Sequence, residues 1–298
     1  MMARMLDHDC AYLTRHWVKL VLAKRHDIYT VAAVRNHFSR PFPLMKHTST
    51  QLAATQWKAI MVDGLQDPDQ RLTKALMALA SSHRAGTAVN LDLLKSVLAS
   101  LTVLGRSGEH GETTTPDVYQ DVFENVFLHE SVEYYQREAG GLALAGLQGY
   151  VPEAGRWVDV EEGFANVLPT KESYAKLQTV LRDILIIGHS QLIEAYMVDS
   201  ISQTYHAGLK GLYAFCLRLG GQDHLRETFM RLFNGAALSV LSGEKDGPPT
   251  DAQSKLVLDI KAVYSNIVAE DFEKDGVLLE ALDRDTTAII HGPSLVRL

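Results

Sequence analysis

The sequence predicts an all-α fold built as an array of helices, and three observations predict it. Apolar residues recur at intervals of three and four through most of the 298 residues, the spacing that gathers them on one face of a helix. No run of strict apolar–polar alternation bounded by hairpin turns occurs, so β-strands have no support. Several of the apolar stripes also begin just after residues suited to capping a helix N-terminus.

In chain order, periodicity places helices at residues 11 to 24, 28 to 38, 50 to 63 and 69 to 83. Arg40-Pro41-Phe42-Pro43 and Asp67-Pro68-Asp69 punctuate them, because proline cannot donate to a helix ladder and biases its predecessor away from helical geometry. Asn90 is a good cap for the next helix, whose stripe is Leu91, Leu94, Leu98 and Leu101. Thr115-Pro116-Asp117 supplies a cap, a first-turn proline and an acid ahead of Tyr119, Phe123, Val126 and Phe127. Further helices are expected at 129 to 140, 172 to 187, 189 to 205, 208 to 219 and 223 to 242. Thr250-Asp251-Ala252-Gln253 matches a capping box, and Leu256, Ile260, Val263 and Ile267 are expected to form the buried face that follows. Residues 243 to 249 read as a linker. Residues 140 to 149, rich in glycine, and the following stretch with Pro152, Gly155 and Gly163 read badly as helix.

Composition limits the function. With 46% hydrophobic and 22% charged residues the chain can bury a sizeable core, which excludes disorder and a coiled-coil rod as descriptions of the whole. Its length suits about two domains, or one continuous array. A net charge of -7 argues against a general nucleic-acid binder, which needs clustered cations for phosphate contacts. Cys10 and Cys216 are too few for a disulfide framework and fit a reducing compartment. No segment is apolar enough to span a bilayer, and residues 1 to 9 carry two acids and no apolar core, unlike a targeting peptide. The expected location is cytoplasm or nucleus.

Motifs for catalysis are weak. Gly188-His189-Ser190-Gln191-Leu192 lacks the closing glycine of a nucleophile elbow and lies between helices, so Ser190 reads as a residue at a helix start. Gly105-Arg106-Ser107-Gly108 is too short to cradle a phosphate. His8, Cys10 and His16 could in principle share a metal, but no His-Glu-x-x-His pair occurs, and scattered histidines are the favoured reading. The acid pairs Glu161-Glu162 and Asp283 with Asp285 read as solvated faces. No catalytic residue, cofactor or metal is therefore expected. Residues 11 to 46 hold seven cations against Asp27; they form either a solvated face or a dock for an acidic partner, with Tyr12, His16 and Trp17 in the same segment.

Specific runs add to this. Cys10 through Lys19, then Ile28-Tyr29, resemble the adaptor-facing last helix of the first cullin repeat and the start of the next. Phe38-Ser39-Arg40-Pro41, Arg84-Ala85-Gly86, Val89 through Leu94 and Leu104-Gly105 continue the likeness in order. The most specific block is Tyr119 through Leu128, similar to the family's Tyr-x-x-x-Phe-Glu-x-x-Phe-Leu pattern, followed by Tyr134-Tyr135-Gln136-Arg137-Glu138. Leu256 through Lys261 and Tyr264 through Phe272 resemble the third-repeat helix, and Ala281-Leu282-Asp283 the entry to the cullin homology region.

The resemblance implies an elongated array of cullin repeats and a non-catalytic scaffold of a ubiquitin ligase, acting in ubiquitin-dependent protein degradation. It implies a remnant of the first repeat at 1–26, a second repeat at 27–197 with an insertion near 44–67, a third at 198–275, and a stub of the homology region at 276–298. Carried over by position, Tyr12, Arg15, His16, Trp17 and Lys19 would contribute to docking a Skp-type or BTB-type protein adaptor, with Trp17 the member best suited to internal packing. The family's RING-box strand lies beyond Leu298, so a RING-box subunit is not expected as a partner, nor is nucleic acid or membrane. The competing reading is a helical tethering or complex-assembly subunit unrelated to ubiquitin.

Overall fold

A computed structural model describes residues 58–105, 118–144, 147–202, 207–241 and 249–291. Every regular element among them is helical. Contacts divide the chain into two compact units, Met1–Ala78 with Ser96–Phe123, and Leu79–Lys95 with Glu124–Leu298.

In the first unit a π-helical turn, Lys58–Asp63, runs into the short Gly64–Gln66. The unit also takes the first part of α1 (Arg71–Arg84) and the later part of α2 (Leu91–Gly105). Its core is Val62, Leu76, Met77, Leu98, Leu101, Tyr119, Val122 and Phe123. Thr73 is the polar member: its hydroxyl donates to Val122 O at 2.7 Å and accepts from Gln66 Nε2 at 2.9 Å. A hydroxyl so satisfied can be buried without cost. As the sequence predicts, Asn90 caps α2, its Oδ1 accepting from Leu93 N at 3.0 Å.

The second unit holds α3 (Asn125–Leu144), α4 (Leu147–Ala165), α5 (Lys171–Arg182), α6 (Ser190–Ser202), α7 (Ala207–Arg218), α8 (Gln222–Leu241), α9 (Asp251–Glu270) and α10 (Gly276–His291). π-helical turns, Gln120–Glu124 and Asp183–Ile187, precede α3 and follow α5. Helix α3 packs on α4 and α5, α7 on α4, α6 and α8, and α8, α9 and α10 on one another. Two helix ends use a left-handed glycine. At Gly86 (φ 74°) and Gly220 (φ 67°) the following residue's N–H bonds to the carbonyl five back, as Thr87 to Ser82 and Gly221 to Cys216. Other residues adopt that φ at a steric penalty.

Three expectations are corrected. Residues 147–165 are helical despite Pro152, Gly155 and Gly163, because Tyr150, Ala154, Val158, Glu161 and Phe164 fall on one fully buried stripe. Burial of that stripe outweighs weak propensity, and Pro152 lies close enough to the start that it removes only an early ladder bond. The buried face of α9 is Val257, Tyr264, Ile267 and Val268; Leu256 and Val263, expected inside, are 51% and 46% exposed. Tyr264 decides the rotation, since its ring packs on Phe229 and Phe233 with centroids 5.0 and 5.4 Å apart. Finally, α10 is a helix that the expected elements do not include. The capping box at Thr250 forms as predicted.

Candidate functional site

Tyr12, Arg15, His16, Trp17 and Lys19, expected to meet an adaptor, lie outside the described residues, as do His8 and Cys10. What the described residues bring together is a set of buried acids, each anchoring several helices.

Glu161 is the most enclosed. It arrives on the apolar stripe of α4, where its Oε1 accepts from Arg84 Nε at 2.6 Å and from Tyr135 OH at 2.5 Å. Arg84, at the end of α1, also donates from Nη2 to Ser131 Oγ on α3 at 2.6 Å. Its guanidinium lies 4.9, 5.4 and 5.3 Å from the ring centres of Phe127, Tyr134 and Tyr135, a cation–π arrangement strengthened where water is absent. The Arg84 and Glu161 side chains are 5% and 2% exposed. Burial, and then the adjoining Glu161 carboxylate, push the Tyr135 phenol far above its ordinary range, so it stays protonated and donates. Beside it, His83 Nε2 lies 3.3 Å from Val160 O, a contact that requires the proton on Nε2.

Glu124 repeats the scheme at the start of α3, accepting from Ser173 Oγ and Lys176 Nζ of α5, each at 2.5 Å. Asp275 does so before α10. Its Oδ1 accepts from the backbone N–H of Val277 and Leu278, and its Oδ2 from Tyr213 OH at 3.1 Å and Arg226 Nε at 2.8 Å. Glu161 takes both of its donors on one oxygen, whereas Glu124 and Asp275 have donors on both. An acid so held is a structural anchor and poorly placed to move a proton in catalysis.

The π turn after α5 is closed in a related way. Tyr150 OH donates to Leu185 O and His189 Nδ1 to Ile184 O, both at 2.9 Å, and the two rings lie 5.2 Å apart. His189 is thereby committed to a backbone carbonyl, and Ser190 opens α6. Among the described residues no group of three or more His, Cys, Asp or Glu could hold a metal, and no helix is long and apolar enough to cross a membrane. Cys216 is buried, which pushes its thiol up to about 12 and leaves little thiolate at neutral pH.

The reading of Glu161 as part of a solvated face is therefore wrong, although its neighbour Glu162 is 43% exposed. The available signal was register: Glu161 sits three residues after Val158 and three before Phe164, and Glu124 sits between Phe123 and Phe127. An acid in phase with a buried stripe needs a partner. Five residues of the Tyr119-to-Leu128 block, Tyr119, Val122, Phe123, Glu124 and Phe127, are buried, so that motif records how the helices lock together.

A family model for the cullin alpha solenoid domain matches residues 2–294. Similar curated proteins include Cullin-1 of Caenorhabditis elegans, 22% identical over 307 residues, covering 99% of this chain and 37% of that protein. Cell division control protein 53 of Saccharomyces cerevisiae is 23% identical over 314 residues, with 96% and 36% covered. Cullin-3B of Arabidopsis thaliana is 26% identical over 228 residues, with 72% and 29% covered. The chain spans roughly a third of the length of these relatives.

Proposed function

Since this chain belongs to the cullin family, we propose that it is a non-catalytic arm of a cullin-RING ubiquitin ligase scaffold, acting in ubiquitin-dependent protein degradation in the cytoplasm or nucleus. The match to the solenoid domain over residues 2–294 carries the reading. The physical requirement on such an arm is stiffness, because a scaffold works by fixing the separation of what it holds. The anchors at Glu161, Glu124 and Asp275 supply it locally. Each links two or more helices through charge-assisted bonds in places largely closed to water, where a slipped register would strand a buried charge.

Residues 11 to 24, with Tyr12, Arg15, His16, Trp17 and Lys19, are the proposed dock for a Skp-type or BTB-type adaptor, and the excess of cations there suits an acidic face. Pull-down of purified adaptors by the wild-type chain and by Tyr12→Ala/His16→Glu tests this. Wild type should retain one adaptor class, and the double variant should lose it. Equal recovery by both proteins would remove these residues from the interface.

A further inference from the structure

We draw no further inference here: the strongest candidate, the exposed edge of α9 that carries Leu256 and Val263, sets those two apolar side chains among Asp259, Asn266 and Glu270, and nothing in the structure shows what covers it.

Discussion

Arg84–Glu161 and Arg226–Asp275 are both ion pairs with a buried acid, yet they differ in how much water reaches the cation. The Arg84 side chain is 5% exposed and Arg226 is 25% exposed, whereas the two acids are equally enclosed at 2%. Around Glu161 of α4 the three partners, Arg84, Ser131 and Tyr135, are side chains of α1 and α3, packed against Phe127 and Tyr134. Around Asp275 half of the bonds come from backbone N–H groups at the start of α10, and the cation can turn outward. The first pair must be complete to be tolerated, while the second is a helix cap with an ion pair added.

The largest effect should therefore come from Glu161→Ala. It leaves Arg84 as an uncompensated buried cation and Tyr135 without its acceptor, and should lower stability by about 3 to 5 kcal/mol. Replacing both partners, as Arg84→Met with Glu161→Leu, should recover most of that loss, since apolar residues of similar volume replace buried pairs well. Urea midpoints at constant slope measure both. A double variant as unstable as the single one would show that packing, and not the stranded charge, dominates there. Asp275→Ala should cost less, about 2 kcal/mol, made up of the cap and the phenol's bond, because Arg226 can be rehydrated. Equal losses at the two acids would erase the distinction drawn from the exposure of their cations.

How much of this the sequence discloses depends on the range of the interaction. Caps are local, and Asn90 and Thr250 were legible from three neighbouring residues. Helix faces are nearly local. In α9, however, the two interleaved sets Leu256/Val263 and Val257/Tyr264 satisfy the same periodicity, and only contact with Phe229 and Phe233 selects between them. The ion pair of Arg84 with Glu161 spans 77 residues, so nothing near either residue names its partner. The residues proposed to meet an adaptor rest on family likeness and charge, since Tyr12 and its neighbours are outside the described residues.

Two smaller substitutions sharpen the same contrast between the α8–α10 region and α4. In the former, Thr286 is 3% exposed on the buried face of α10, and its hydroxyl has no hydrogen-bond partner among the described residues. Thr286→Val exchanges that hydroxyl for a methyl of similar size and should stabilise the chain by about 1 kcal/mol, because the cost of an unmade bond disappears. Thermal unfolding should show a higher midpoint, and a lower one would mean that the hydroxyl is satisfied in solution.

In α4 the comparison turns on glycines that packing does not require. A Cβ on Gly155 would meet nothing within 4 Å, and the residue sits in mid-helix with a negative φ. At Gly221, by contrast, the added carbon would collide with Ile186 Cδ1, and at Gly188 it would fall 2.8 Å from Ile184 O. Gly155→Ala should then stabilise by about 0.5 to 1 kcal/mol, chiefly by restricting the unfolded chain, while Gly188→Ala should destabilise, since a backbone oxygen cannot give way. If Gly155→Ala instead lowers the unfolding midpoint, then α4 is not held in helical form by its buried stripe alone, and its glycines must serve a conformation other than the one described.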